Sequence, residues 1–514
     1  MVRPWATFRP ALLVFLCAVL ALGSALMLAP GRASPPVNPA CPAPQSIPTG
    51  FDYPQPAAAV EQWVKRGDVG RTRLHGWNLW AALNQPSPPQ DTAAVRPVWQ
   101  SWCTETQAFA SSNALLRSAG RAPGARPMRQ FKFNNGLRTG PDPINFPVAP
   151  FYAVPQPVLT KYKNSSCIVP ATPTSPATLA NGPTLQNNGD VMVAGVIYNK
   201  PAFDWIRSTG VYQAGTLKRM MPPPGGIGSI PNFPAGAISL KPMMWPVQAS
   251  GFTALPVWDD PSSDDGVYAG FEIQNKWPRA VAVTPSPQST LRPQTVSFLH
   301  GVTMAGQALG PNTYTNASVV GIEQFYHYRP NLATMAACDR AILDASAYYA
   351  YGRLFQQGDY LVLVAMHIMT KEQAAWTFQS VWWHDRPDVG PYAADRPKGL
   401  AAQGPWAHYL MAATYGIPAA SPRGLAQWPV AFNPYIELAA AHPIRTNCMN
   451  CHHRAAWPAQ TDEYQATGGP GALDVFSQDN KVIFANKVQV DSLWSISDRV
   501  PSPPGAPKSP PTKP

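Results

Sequence analysis

Proline is the feature that most limits the folds open to this chain. The sequence contains 61 Pro among 514 residues, well above the roughly 5% of an average protein. Proline interrupts helix interiors and central strands, so regular elements are confined to the segments between prolines. The charged fraction of 13% and the apolar fraction of 45% exclude a coiled coil and a wholly disordered chain. We therefore expect a folded chain with short elements and many irregular connections.

Apolar runs and alternating patterns predict both strands and helices. The predicted strands are AISLKPMMWPV, GFEIQNKW, AVAVTP, QTVSFLHGV, DYLVLVAMHI and AWTFQSVWW, and GDVMVAGVIYNKPAFDWI predicts a strand followed by a short helix. Helices are predicted over 333–355 and 398–414, and a helix broken near Gly67 and Gly70 is predicted over 57–82. The fold class expected is α+β, with a largely antiparallel β body, several helices and long Pro/Gly-rich loops.

The first 33 residues have the pattern of an export signal. Arg3 and Arg9 precede the apolar run ALLVFLCAVLALGSALML, and the small residues Gly31 and Ala33 follow it. This order predicts a signal peptide that is cleaved after Ala33. The run is long for a signal, so an uncleaved membrane anchor is the alternative. Either reading predicts a periplasmic protein.

The seven cysteines fall into three groups. Cys17 lies within the predicted signal, and the pair at 448 and 451 belongs to a short motif. The other four are even in number, which predicts two disulfides in an oxidising compartment and leaves three pairings open. These four are Cys41, Cys103, Cys167 and Cys338.

The strongest chemical signal is the sequence CMNCH, in which Cys448 and Cys451 precede His452. Two thiols three positions apart can both add to the vinyl groups of a haem, and the adjacent His is then presented to the iron. The alternative is a redox C-x-x-C with an incidental His, but the flanking sequences lack the βαβ context of that motif. We expect one covalent haem c with His452 as the proximal iron ligand.

A sixth ligand is not provided by the sequence that follows the motif. The last Met is Met449, inside the motif, and His453 is too close to reach the opposite side of a haem. The ligand therefore comes from upstream, or the iron is five-coordinate. His367 ends a predicted buried strand, and His384 has Asp385 beside it to orient its ring. These two are the distal candidates, against the alternatives of a core His and a surface-turn His; the other upstream histidines are His75, His300, His327 and His408.

The chain divides into five predicted segments. These are a signal or anchor over 1–33, a Pro-rich linker over 34–56, an α+β body over 57–430, a haem c segment over 431–500 and a disordered tail over 501–514. The haem segment is too short to bury a haem alone. We therefore expect it to pack on the body.

Several stretches together resemble large bacterial proteins described only as c-type cytochrome family proteins. The residues that carry the resemblance are HGWNLWAAL, FPAGAISLKPMMW, MHIMTKEQAAWTFQSVWWHD, FNPYIEL and NCMNCH. The resemblance implies that Cys448 and Cys451 bind haem covalently and that His452 is an axial ligand. It implies no particular reaction.

Three functions are compatible with these patterns. The first is haem-dependent electron transfer in the periplasm, with a redox partner protein or a respiratory-chain component. The second is a haem c enzyme of peroxidase or oxygenase type, in which the large body forms a substrate pocket. The third is a haem-based ligand sensor. Iron coordination distinguishes the first from the other two, since a six-coordinate iron favours electron transfer. Nucleic acid is not expected as a partner, because Lys and Arg form no dense stripe.

Overall fold

The computed structural model describes thirteen stretches of the chain. They are residues 41, 44–87, 96–110, 152–171, 176–259, 277–286, 292–304, 307–393, 395–399, 404–415, 433–436, 448–458 and 478–503. The predicted signal over 1–33 and residues 504–514 of the predicted tail lie outside them. Within these stretches, no helix combines the length and the apolar character needed to cross a membrane.

Ten α-helices and 22 short or medium strands are found in the described residues. The helices are α1 (Ala57–Arg66), α2 (Val69–Leu83), α3 (Glu105–Phe109), α4 (Gln156–Tyr162), α5 (Lys200–Thr209), α6 (Ala214–Arg219), α7 (Ala337–Tyr351), α8 (Cys448–His452), α9 (Lys481–Phe484) and α10 (Trp494–Arg499). The strands are β1 (Pro86–Ser87), β2 (Arg96–Pro97), β3 (Cys103–Thr104), β4 (Ile168–Val169), β5 (Thr178–Leu179), β6 (Gln186–Asn187), β7 (Val193–Ala194), β8 (Ile197–Tyr198), β9 (Ile227–Ser229), β10 (Ile238–Val247), β11 (Thr253–Pro256), β12 (Ala280–Thr284), β13 (Gln294–Phe298), β14 (Val302–Met304), β15 (Gln307–Leu309), β16 (Asn312–Gly321), β17 (His327–Tyr328), β18 (Tyr360–Thr370), β19 (Thr377–Trp383), β20 (Tyr409–Tyr415), β21 (Ala456–Trp457) and β22 (Lys487–Gln489).

The main sheet has nine strands, all paired antiparallel. Its long axis follows the order β20-β19-β18-β10-β7-β6, with β17 on β18, β8 on β10 and β3 on β8. A four-stranded sheet, β11-β12-β16-β13, lies in the same body and has one parallel pair, β12 with β16. The predicted α+β class with a largely antiparallel body is confirmed.

The centre of the main sheet is buried on both faces. Helix α2 packs on β20, and α7 packs on β10 and β13. The strand β18 therefore reads as a nearly continuous apolar run, because both of its faces are covered. Its predicted position, and those of β10 and β19, are confirmed.

The predicted break in the first helix is also confirmed. Helix α1 ends at Gly67, whose φ of 65° is left-handed, a conformation that glycine adopts without steric cost. Asp68 then caps α2 by accepting a hydrogen bond from the Arg71 backbone N–H at 2.9 Å. Trp77 and Trp80 of α2 are fully buried, as expected for a core face.

The helix predicted over 398–414 is wrong in the described part of that range. Residues Gly404–His408 form a short 3-10 helix, and Tyr409–Tyr415 form the strand β20. All seven residues of β20 are buried, and the strand pairs with β19 along its whole length. A short apolar run is compatible with a helix or with a buried strand. Residues 409–415 form a strand because they pair with β19.

Two disulfides join the four cysteines that lie outside both the motif and the predicted signal. Cys41 pairs with Cys103, and Cys167 pairs with Cys338. The first bridge ties the described part of the Pro-rich 34–56 segment to the body, where the Trp102 indole N–H also donates to the Gln45 carbonyl at 2.7 Å.

The C-terminal segment packs on the body, and the described residues from 41 to 503 belong to one compact unit. The strand β22 pairs in parallel with β9, with Val488 opposite Gly228. Arg499 of α10 forms an ion pair with Glu105 of α3, a carboxylate that is 5% exposed. These contacts join elements that are more than 250 residues apart in sequence.

Candidate haem site

The motif helix α8 lies over one face of the main sheet. Cys448 is 6% exposed and Met449 is fully buried. The Thr414 hydroxyl of β20 donates to the Met449 sulfur at 3.6 Å. Because residues three apart occupy the same side of a helix, the spacing of 448 and 451 suits attachment of one planar group through two thioethers.

His452 has a fixed tautomer. Its Nδ1–H donates to the Ser492 carbonyl at 2.9 Å, which leaves Nε2 with its lone pair. Asp491 and Ser492 have positive φ values of 47° and 65°, and this left-handed turn directs the carbonyl toward the ring. A histidine metal ligand commonly donates its second nitrogen in this way.

The imidazole of His452 is neutral over the physiological pH range. Its pKa is lowered to about 3, mainly by burial and also by the charges of His367, His453 and Lys241, against the opposing hydrogen bond to Ser492. Iron binds the neutral form of a histidine. As a whole residue, His452 is half-buried.

The facing part of the sheet contains His367 and Lys241. They lie directly opposite each other on β18 and β10, and both influence the pKa of His452. Both are half-buried, whereas the strand residues on either side of each are buried. The Phe378 ring of β19 lies 5.1 Å from the His452 ring between centroids. Two half-buried side chains thus lie side by side in the sheet, on the face that meets the motif histidine.

His453 cannot take the place of His452. Its Nε2–H donates to the Ala375 carbonyl at 3.2 Å, and its Nδ1 accepts from the Gln478 side-chain amide at 2.7 Å. Both ring nitrogens are thus occupied by protein groups.

The structure does not bring His384 to the motif. His384 follows the far end of β19, six residues beyond Phe378, which corresponds to about 20 Å of extended strand. Its Nδ1 accepts from the Arg386 backbone N–H at 2.9 Å, and its Nε2 lies 3.4 Å from Asp259. Arg279 joins the same Asp259 carboxylate, so His384 belongs to an ion-pair cluster.

Two of the other upstream histidines, His75 and His327, are also placed elsewhere. His75 lies between the Tyr415 hydroxyl at 2.6 Å and Glu372 at 3.1 Å, with both ring nitrogens engaged. His327 on β17 pairs with Val362 of β18, five residues from His367 and therefore about 17 Å along the strand.

Sequence reasoning missed Ser492, Lys241 and Phe378. Ser492 follows His452 by 40 positions, and the other two reach the site through strand register. Alternation along β19 places Phe378 and Ser380 on one face of the sheet. Since Ser380 pairs with His367, Phe378 shares that face with His367, and the alternation was the available signal for it.

Within the part of the chain that the structure describes, no group of three or more His, Cys, Asp or Glu is placed to hold a metal ion. A haem requires only one or two protein ligands to its iron. In comparisons with known proteins, no family model, curated protein or solved structure matched the chain.

Proposed function

We propose that this chain is an exported monohaem c-type cytochrome that transfers electrons in the periplasm. The observation that carries the proposal is the hydrogen bond from His452 Nδ1 to the Ser492 carbonyl. It leaves the Nε2 lone pair of the motif histidine available, and a haem ligand requires this tautomer. The residues present fit the group that the motif implies.

Each part of the site has a separate role in this proposal. Cys448 and Cys451 hold the haem through thioether bonds, and His452 is its proximal ligand. Bound haem supplies a one-electron couple. The carbonyl of Ser492 increases electron donation from His452, and the buried surroundings limit access of water; both are means by which a protein sets the reduction potential.

A basic surface agrees with a negatively charged redox partner. The whole chain has a net charge of +11. Removal of 1–33 removes Arg3, Arg9 and Arg32 and no acidic residue, which gives 11 − 3 = +8 for the mature chain. Positive charge of this kind increases association rates with acidic proteins at low ionic strength. We propose a redox protein or a respiratory-chain component as the partner.

The proposal is tested by expression of the full chain together with c-type haem maturation proteins. We expect one covalently bound haem, seen as a c-type pyridine haemochrome and as the added mass of one haem. The C448A/C451A double variant should lose both signals. His384→Gln is the matched control and should retain both, because His384 lies about 20 Å of extended strand beyond Phe378, the residue of β19 that contacts His452. A folded wild-type protein without covalent haem would refute the proposal.

A haem enzyme is the second candidate. The half-buried pair His367 and Lys241 favours it, because a His and a cation beside an open iron can move a proton or hold an anion. A five-coordinate iron that turns over peroxide would support this candidate; an iron with two strong protein ligands favours electron transfer.

A further inference from the structure

We propose that His367, on the central strand β18 of the body, is the sixth ligand of the haem iron. This inference rests on the proposed function, since it needs a haem at Cys448 and Cys451. It places the iron between the C-terminal segment and the main sheet, with one ligand from each.

The first observation is proximity. The His452 ring contacts Phe378 of β19, and Phe378 is paired with Met369, two residues from His367 on β18. His367 also lies on the face of the sheet that meets the motif. Its partner on β19 is Ser380, and Phe378, two residues earlier on the same side of that strand, is 5.1 Å from the His452 ring.

The second observation is the burial pattern of the two central strands. In β18, every residue from 361 to 370 is buried except His367, which is half-buried. In β10, every residue is buried except Lys241, directly opposite His367. The two half-buried positions are therefore adjacent, and both lie on the face of the sheet that meets the half-buried His452.

Competing ligands are less suited by position. His384 lies about 20 Å of extended strand beyond Phe378, and His327 lies about 17 Å along β18 from His367. Met369 shares the face of His367 and is opposite Phe378. Its side chain, however, is only 4% exposed, so it packs as a core residue.

The ligand set predicts a specific spectroscopic state. Two histidine ligands give a six-coordinate, low-spin iron, and replacing one of them with methionine raises the reduction potential. Lys241 would lie next to the ligand without binding the iron. Substitutions of His367, Met369 and Lys241 should therefore have different effects on the ligation of the iron.

The experiment compares wild-type protein with H367A, H367M, M369L and K241Q, all as full chains with covalent haem. Optical, EPR and near-infrared magnetic circular dichroism spectra are recorded for the oxidised and reduced forms. We expect wild type to be low-spin with two nitrogen ligands. H367A should become high-spin and return to low-spin on addition of imidazole. M369L and K241Q should keep the wild-type ligand signature.

H367M provides a second readout if H367A does not accumulate. It should show a sulfur-ligated iron and a higher reduction potential than wild type. A high-spin wild-type protein, a low-spin H367A without imidazole, or loss of the low-spin state in M369L would overturn the assignment while leaving covalent haem intact. Absence of covalent haem in the wild type would instead overturn the proposed function, and this inference with it.

Discussion

The ion pair between Lys371 and Asp491 provides a test of how the C-terminal segment is held on the body. Lys371 Nζ lies 2.6 Å from Asp491 Oδ1, with side chains that are 4% and 10% exposed. The same carboxylate accepts from the Trp376 indole N–H at 3.1 Å and from the Phe233 backbone N–H at 3.0 Å. Asp491 has a left-handed φ of 47°, which Asn also tolerates. D491N therefore removes the charge and preserves the shape and the backbone conformation.

The expected loss can be worked out from these contacts. Breaking a buried ion pair by removing one partner costs about 3–5 kcal/mol. Asn keeps one of the two acceptor oxygens, so one of the two N–H donors, from Trp376 or Phe233, loses its partner at a cost of about 1 kcal/mol. Lys371 can relieve part of the cost by losing its proton. We expect D491N to lower the free energy of unfolding by about 3–4 kcal/mol at neutral pH.

The pH dependence of this loss has a definite sign. Burial already lowers the pKa of Lys371, and Asp491 is the group that opposes this shift. Without Asp491 the folded-state pKa falls further below the unfolded value of about 10.4. Between these two pKa values the unfolded chain binds more protons, so stability rises with pH. The difference in free energy of unfolding between the wild type and D491N should therefore decrease as the pH is raised toward the pKa of a free lysine.

Urea denaturation, followed by tryptophan fluorescence at neutral and alkaline pH, measures this effect. The K371M and K371M/D491N variants complete a double-mutant cycle, and the coupling energy isolates the pair. K200Q is the matched control, because Lys200 and Asp204 form an ion pair with side chains 62% and 48% exposed, which contributes at most about 0.5 kcal/mol. A loss below about 1 kcal/mol in D491N, with no coupling to K371M, would refute the reasoning.

Three further predictions concern the stability of the body. Burial raises the pKa of Asp190 to about 7, above the unfolded value of about 3.9. The free energy of unfolding should therefore fall as the pH rises between these two values. In urea titrations, D190N should reduce this dependence on pH. The C167A/C338A variant opens a cross-link between residues separated by 171 positions and should lose up to about 5 kcal/mol; an unchanged urea midpoint would contradict this. A Cβ at Gly182 would overlap a carboxylate on α7, so G182A should lower the free energy of unfolding by at least about 1 kcal/mol, whereas G215A in helix α6 should be neutral or stabilising.

Local patterns predicted the long central strands and the first helices correctly. The local residue pattern is enough to predict β10, β18 and β19. The first two are apolar runs and the third is an alternating aromatic run, and such patterns are typical of buried strands. Glycine at 67 ends α1 through a left-handed residue, which is also a local property. The 409–415 run was assigned wrongly because its conformation depends on a partner strand, β19, which a single segment does not specify.

The candidate site was predictable only in part. The motif itself predicted Cys448, Cys451 and His452 from spacing alone. The acceptor for His452 depends on a left-handed turn at Asp491 and Ser492, and the position of Lys241 opposite His367 depends on strand register. Register and turns of this kind are set by tertiary packing, so the sequence could name His367 as a candidate but could not separate it from His384.

The parallel pairing of β22 with β9 has a consequence for the order of events during synthesis. Lys487 pairs with Ile227, 260 positions earlier, so this part of the motif's surroundings cannot form until residue 487 has been synthesised. Contacts of such long range form slowly. Cys448 and Cys451 would therefore remain accessible on an incompletely folded segment after the earlier parts of the body can begin to fold. This interval would allow thioether formation before the C-terminal segment closes over the site.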